Sequence, residues 1–281
     1  MTLLTIVLGA LPLRLLRVNY GAIKYWSGCL SVSVALLIAG QTLMSAAFAT
    51  LSLLIGIYSE AEKQYTSTFA SGAIAVTATS GLVTAGVAIW SEVTKTNLIQ
   101  AVKTIAGTIT ARAVEMNPQL EVKADVLAWQ TPSFVVVVMI LALGAALMWE
   151  RRGRRWFKLA EAVTKPSSLL AFHVPAFFVW IAIASGAAAL IQHNVGWAQV
   201  LGLNVFNIVV AIYFLQGMAV IGQMFQTFKV SPFWQTLWYI MLFLQLFPLV
   251  ATVGFADFWF DFRERLKKKK APRVQRTHLD S

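Results

Sequence analysis

Charge is scarce in this sequence relative to its length. Only 12% of the 281 residues are charged, whereas a soluble domain carries roughly 25%. Hydrophobic residues make up 58% of the chain, and its mean hydropathy is +0.69. Because the deficit of charge extends along the whole chain, it excludes an ordinary soluble globular domain and predicts a polytopic membrane protein.

Residues that bind metals are also scarce. Cys29 is the only cysteine, so no disulfide can form within the chain, and the redox compartment cannot be inferred from it. His173, His193 and His278 are scattered and lack the spacing of metal ligands. We therefore expect no metal site and no bound cofactor.

Catalytic motifs are missing as well. The chain has no glycine-rich phosphate loop ending in Gly-Lys-Ser/Thr, no His-Glu-x-x-His and no Gly-x-Ser-x-Gly. The apolar segments offer hydroxyl groups without a nearby base. We therefore expect that the protein is not an enzyme.

The charges that are present are mostly positive and clustered. The formal net charge is +11, from 23 Lys and Arg against 12 Asp and Glu. Arg151, Arg152, Arg154 and Arg155 directly follow an apolar run, and Lys267–Lys270 follow another. Such clusters mark the cytoplasmic side of a membrane and attract anionic lipid headgroups. They predict a multi-pass protein of the bacterial inner membrane that binds lipid and not nucleic acid.

The apolar runs predict an all-α transmembrane bundle with seven or eight membrane segments. Residues 1–262 form one transmembrane domain in this interpretation, and residues 263–281 form a basic cytoplasmic tail, partly disordered. Residues 27–58 are too long for one helix and predict a pair bent near Gly40 and Gln41. Residues 69–90 are rich in small side chains, which predicts a central, protein-packed helix.

Residues 91–130 differ from the rest because they are amphipathic. They hold four charges of each sign, while Leu98, Val102, Ile105, Ile109 and Met116 recur at helical spacing. Asn117-Pro118 is a helix stop signal. Without a positive bias, the segment is expected to be extramembrane, on the translocated side.

Two predicted cytoplasmic segments create a conflict in the count of crossings. Three apolar runs lie between the arginine cluster and the C-terminal tail, and an odd number of crossings cannot return the chain to the same side. We expect that the tail is inside and that one crossing is incomplete. The run around Asn204, Asn207 and Gln216 is the most polar and is the expected exception.

Amide side chains in this run form the first candidate site. Asn204 and Asn207 are three residues apart and share a helix face, and Gln216 and Gly217 follow. Uncompensated polar groups in lipid cost several kcal/mol, so these amides need partners. They either line a small ligand pocket together with Gly217 or form hydrogen bonds between helices.

An acidic and aromatic motif near the C-terminus forms the second candidate site. Asp257 and Asp261 share a face if the helix is continuous, so they can bind a cation or relay protons. Alternatively, Asp261 pairs with Arg265, and Asp257 ends the helix at the membrane interface. Trp259 belongs to an aromatic run that is typical of an interface, and Arg263 closes the motif.

The same residues carry a family resemblance. Asn204, the run Tyr213–Ile221 and the run Asp257–Arg263 resemble the YybS-like family of predicted bacterial membrane proteins, a domain of unknown function. Leu11-Pro-Leu-Arg and Asn19-Tyr-Gly21 add weaker support. The resemblance implies a fold similar to the substrate-binding membrane subunits of energy-coupling-factor vitamin transporters. Family members typically begin with a further transmembrane helix, which this chain is expected to lack.

Two functional hypotheses remain open from the sequence. The first is a small-solute binding or transport component, which the resemblance suggests and which implies a membrane protein partner. The second is a structural or assembly membrane protein without a ligand. A cavity lined by the amides favours the first, and amides bonded to neighbouring helices favour the second.

Overall fold

A computed structural model of the chain describes residues 3–116, 124–159, 169–190 and 196–270. Within these ranges every secondary-structure element is a helix and there is no strand, which confirms the all-α prediction. The helices are α1 (Leu3–Ile38), α2 (Thr42–Gln64), α3 (Thr68–Thr94), α4 (Leu98–Met116), α5 (Ala124–Trp156), α6 (Phe178–Leu190), α7 (Trp197–Thr227), α8 (Pro232–Leu244), α9 (Phe247–Phe260) and α10 (Phe262–Lys270).

Five of the described helices are long and apolar enough to cross a membrane: α1, α2, α3, α5 and α7. Helices α8 and α9 together give a sixth candidate, bent by 101°. The expected count of seven or eight segments is therefore not confirmed within the described ranges. The difference lies at α6, which has only 13 residues, and at the bent pair α8 and α9.

Helix α1 is sharply bent at Gly21. This residue has φ 79° and ψ −178°, a conformation that is essentially restricted to glycine. In a straight helix residues 9 and 25 would lie about 24 Å apart. Instead, Gly9 packs on Leu51, and the Tyr25 hydroxyl donates to the carbonyl of Ser52, the next residue. The two halves of α1 therefore both pack against α2. The turn between α1 and α2 includes Gly40, as predicted.

Helix α3 is peripheral, so the prediction of a central, protein-packed helix is wrong. Only 11% of its most apolar window is buried, and the buried residues lie in its first half. Nothing lies within 4 Å of the position that a Cβ of Gly81 or Gly86 would occupy. Small side chains permit another helix to pack closely, but they do not determine whether a helix packs there.

Helices α5 and α7 form the centre, and they run parallel to each other. Asn204 contacts Trp129 near the start of both helices, and Leu215 packs on Gly144 further along. In α7, 61% of the apolar window is buried. The prediction that this run is the incomplete crossing is therefore wrong, because its amides find partners within the protein. The bend between α8 and α9 is the candidate interruption instead.

The segment before α6, together with α6 itself, runs along α7 in the opposite direction. Leu170 packs on Gly222, Val174 donates to Gln216, and Ala188 packs on Gly202. Between a 3-10 turn at Leu169–Ala171 and α6, residues 172–175 adopt no helical structure. We call residues 172–175 the strap. Pro175 restricts its predecessor to extended backbone and contributes no N–H group, which favours this break.

The two ends of the bundle differ in their side chains. The arginine end holds Arg151–Arg155, at the end of α5, and Arg14 connects it to the end of α2. The tryptophan end holds the exposed residues Trp90, Trp129 and Trp197 where α3 ends and where α5 and α7 begin. Exposed tryptophans are typical of a membrane–water interface.

Helix α4 is confirmed as a helix, and it ends at Met116. The predicted stop signal Asn117-Pro118 lies outside the described residues, as do residues 271–281 of the tail. Ala106 is buried, whereas Ile105 and Ile109 remain 61% and 54% exposed. The predicted apolar face is therefore only partly covered by the protein.

Candidate functional site

Asn204 completes the backbone hydrogen bonding of α5. Its Oδ1 accepts from the Ser133 N–H at 3.2 Å, and its Nδ2 donates to the Trp129 carbonyl at 3.0 Å. These two backbone groups are four residues apart and would bond to each other in a regular helix. Pro132 lies between them and disturbs the local helix geometry. The Asn204 amide therefore bridges backbone groups beside a helix-breaking residue.

Asn207 extends the same contact between α7 and α5. Its Nδ2 donates to Ser133 Oγ at 3.2 Å and lies 3.5 Å from Gln130 Oε1. A pocket of about 30 Å³ lies nearby, which is room for roughly one or two water molecules. Its lining residues are Val126, Trp129, Gln130, Gln199, Val200 and Leu203. The two asparagines thus bond to a neighbouring helix, and the space beside them is smaller than a metabolite.

Gln216 belongs to a different cluster from the asparagines. Its Oε1 accepts from the Val174 N–H at 3.0 Å, and its Nε2 donates to Asp257 Oδ2 at 3.2 Å. Arg263 Nε lies 3.1 Å from the same carboxylate oxygen. The structure therefore joins one predicted pocket residue with two residues of the C-terminal motif, which the sequence had assigned to separate sites.

This cluster satisfies the backbone of the strap. Gln216 accepts from Val174, and Arg263 Nη1 donates to the Phe172 carbonyl at 2.5 Å. Just before the strap, Gln223 Nε2 donates to the Leu170 carbonyl at 3.0 Å. Non-helical backbone is tolerated at membrane depth only when the protein satisfies its polar groups. Three side chains from α7 and α10 supply these bonds.

The ion pair in this cluster is buried. Asp257 is 7% exposed, and its Oδ1 has no hydrogen-bond partner among the described residues. Burial lowers the pKa of the Arg263 guanidinium, and the Asp257 carboxylate opposes this shift. Arginine nevertheless stays charged at neutral pH because its ordinary pKa is above 12. The Asp257 carboxylate thus compensates the buried Arg263 cation through Oδ2, while Oδ1 has no hydrogen-bond partner among the described residues.

Gly217 does not offer an accessible backbone for a ligand, so this part of the pocket prediction is wrong. A Cβ at Gly217 would lie 2.0 Å from the Val250 carbonyl oxygen. A Cβ at Gly254 would lie 2.0 Å from the Tyr213 carbonyl oxygen. The two glycines let the backbones of α7 and α9 touch, which leaves no space for a solute there.

Asp257 and Asp261 do not share a helix face. Helix α9 ends at Phe260, and Asp261 adopts a left-handed conformation with φ 45°. Aspartate tolerates this conformation better than most residues. Asp257 is buried and Asp261 is exposed, so the two carboxylates do not form a common cation or proton site. Trp259 is exposed next to them, as an interfacial residue would be.

A charged cluster at the arginine end was missed by the sequence analysis. Arg14 Nε lies 3.1 Å from Glu150 Oε2, and its Nη2 lies 2.5 Å from Glu62 Oε2. Arg17 pairs with Glu60. The partners lie 43 to 136 positions apart, and only the number of arginines beside an apolar run hinted at them.

The arginine cluster of α5 splits into members with a partner in the protein and exposed members. Arg154 pairs with Glu150, and Arg152 donates to Gln235 and lies over the Tyr239 ring. Arg151 and Arg155 are exposed. Only the latter two remain available for the expected headgroup contacts. The side chains of Lys267–Lys270 lie outside the described part of the chain.

The chain matches a family of known sequences. The family model with the description "Predicted membrane protein (DUF2232)" covers residues 1–258. No curated protein sequence and no solved structure matches the chain significantly. The match covers the described helices α1 to α8 and most of α9.

Proposed function

Because the chain belongs to this family of predicted membrane proteins (DUF2232), we propose that it acts within the bilayer as a non-catalytic structural or assembly component. One observation carries this proposal. Asn204, Asn207 and Gln216 direct their amides to neighbouring backbone and side-chain groups, and none of them lines the pocket beside α5 and α7. Their role is to hold helices together.

Replacement of Asn207 tests this function. Asn207→Leu removes the contact with Ser133, and an interhelical hydrogen bond in a membrane contributes about 0.6–1.7 kcal/mol. We expect a lower melting temperature in detergent. Gln226→Leu on the same helix is the control because Gln226 is exposed. If Asn207→Leu keeps wild-type stability but loses a small molecule seen by native mass spectrometry, the amides bind a solute and the structural proposal fails.

Binding or transport of a small solute is the second candidate function, and a separate observation favours it. The strap is non-helical backbone beside α7, and unwound backbone between helices forms the binding sites of many transporters. Asp257 Oδ1 is buried beside it without a partner among the described residues. Purification in mild detergent tests this candidate. A co-purifying ATPase pair, lost on Asp257→Asn but retained in Asp261→Asn, supports transport.

The proposed location is the bacterial inner membrane, with the arginine end in the cytoplasm. The positive-inside rule supports this orientation. Arg151 and Arg155 are the residues proposed to contact anionic headgroups, since both are exposed. Native mass spectrometry tests these contacts. The variant Arg151→Gln/Arg155→Gln should retain fewer anionic lipids than the wild type.

A further inference from the structure

Helix α4 connects two spans at the tryptophan end. It begins four residues after α3 ends at Thr94, and it precedes α5, which starts at Ala124. Lys103 Nζ lies 3.1 Å from Asp125 Oδ1 in the first turn of α5. Trp129 follows one turn later and is exposed. These contacts place α4 at the depth where the aromatic side chains mark the membrane boundary.

The surface of α4 is divided into two faces. Leu98, Val102, Ala106 and Thr110 follow one another at four-residue spacing, and all four are at least partly covered. Ile105 and Ile109 extend this apolar face beyond the covered strip and remain exposed. Gln100, Thr104, Thr108 and Glu115 lie on the opposite face, and all four are exposed. Half of the apolar face is therefore uncovered by the described residues.

We propose that α4 is not extramembrane but lies in the plane of the outer bilayer interface, with Ile105 and Ile109 inserted among lipid chains. Amphipathic helices of this kind bury their apolar face about 5–10 Å into the boundary between headgroups and acyl chains. The bilayer that surrounds α3 and α5 is continuous with this position. It supplies an apolar phase for the exposed isoleucines and water or headgroups for the threonines. The outer side follows from the proposed orientation, in which the arginine end lies in the cytoplasm.

Site-directed labelling in lipid nanodiscs tests this arrangement. Single cysteines replace Ile105 and Ile109 on the apolar face and Thr104 and Thr108 on the polar face, each carrying an environment-sensitive fluorophore. Lipids brominated in their acyl chains serve as quenchers. We expect several-fold stronger quenching and blue-shifted emission at positions 105 and 109 than at positions 104 and 108. Cys29 is buried and is left in place, with the unsubstituted chain as the labelling control.

Three outcomes oppose the proposal. Equal, weak quenching at all four positions places α4 in water, away from the membrane. Disulfide formation between Ile109→Cys chains without lipid quenching shows that a second copy covers this face. Strong quenching at all four positions places the helix inside the bilayer. If a cysteine variant does not fold, Ile105→Trp and Thr104→Trp report the same contrast through tryptophan quenching, measured as a difference from the wild type.

Discussion

Buried charges in this protein are compensated by residues far away in the sequence. Asp257 in the last turn of α9 forms an ion pair with Arg263 near the start of α10, and Arg14 connects Glu62 with Glu150. A buried pair often contributes little to stability when it is compared with apolar residues. Removal of one partner is different because it leaves the other charge desolvated. Single and double substitutions therefore separate these effects.

Substitution of Asp257 should strongly destabilise the protein. Asp257→Ala leaves the Arg263 guanidinium buried without its counter-charge, which typically costs about 3–5 kcal/mol. The double variant Asp257→Ala/Arg263→Met should lose less than the sum of the single variants. Chemical unfolding in mixed detergent measures the three free energies of unfolding. Asp261→Ala is the control because Asp261 is exposed. Additive losses would show that the two groups do not interact.

Arg14 should be similarly sensitive at the other cluster. Arg14→Met leaves Glu62 and Glu150 without their common partner, so we expect a loss of about 3–5 kcal/mol. Lys24→Met on the same helix is the control because Lys24 is exposed. The melting temperature in nanodiscs measures both. Equal melting temperatures would mean that Arg14 is solvated in the protein.

At the scale of helices, the effect of replacing a glycine by alanine depends on which atoms lie opposite the new Cβ. Gly254 has the Tyr213 carbonyl oxygen where a Cβ would stand, so Gly254→Ala must push α9 away from α7. Gly86 on α3 has open space there, and Gly86→Ala should be neutral or stabilise by up to about 1 kcal/mol, from helix propensity. Thermal unfolding compares them. A stable Gly254→Ala variant would contradict the backbone contact between α7 and α9.

Gly21 tests the bend in α1. Gly21→Ala forces a residue with a Cβ into a conformation that is essentially restricted to glycine, so α1 should straighten or the protein should lose about 1–3 kcal/mol. Gly28→Ala on the same helix is the matched control, since nothing lies within 4 Å of its Cβ position. A cysteine cross-link between positions 9 and 51 reports the bend. An unchanged cross-link and stability would show that the bend does not depend on Gly21.

Hydropathy and periodicity predicted some helices well and their partners poorly. The turn at Gly40 and the extent of α4 follow from local patterns of glycine and apolar spacing. The peripheral position of α3 does not follow from such patterns. Its small residues permit a neighbouring helix to pack closely, but they do not specify which helix does so. The ion pairs of Arg14 were not predicted because they require α1, α2 and α5 to meet, which no local pattern indicates. The end of α9 at Asp261 was missed because an aspartate gives only a weak signal for a left-handed residue.

Contacts across the whole molecule place the start of α10 at the arginine end. Arg263 donates to Phe172, whose ring centroid lies 5.9 Å from that of Phe69 in the first turn of α3. Gln235 near the start of α8 contacts Arg152 at the same end. We therefore expect that α8 and α9, which are bent by 101°, enter the membrane and return on the same side. Such a re-entrant path would remove the conflict in the count of crossings.

Accessibility to a membrane-impermeant maleimide tests this path. Lys158→Cys and Gln275→Cys should both react in inverted vesicles and not in intact cells. Thr104→Cys should react only from the opposite side. Buried Cys29 should contribute little background. Labelling of position 275 from outside the cell would show that α8 and α9 cross the membrane.

The strap also has a consequence for the order of biosynthesis. Its backbone is complete only after Gln216 and Arg263 have been synthesised, 42 and 91 positions later than the groups they bond. When α6 has just been synthesised, the Val174 N–H and the Phe172 carbonyl therefore enter the translocon without these hydrogen-bond partners. We therefore expect this region to stay with its insertion partners until α10 has been synthesised. Chains shortened before residue 263 should consequently be degraded by quality-control proteases, even though they retain every long hydrophobic helix.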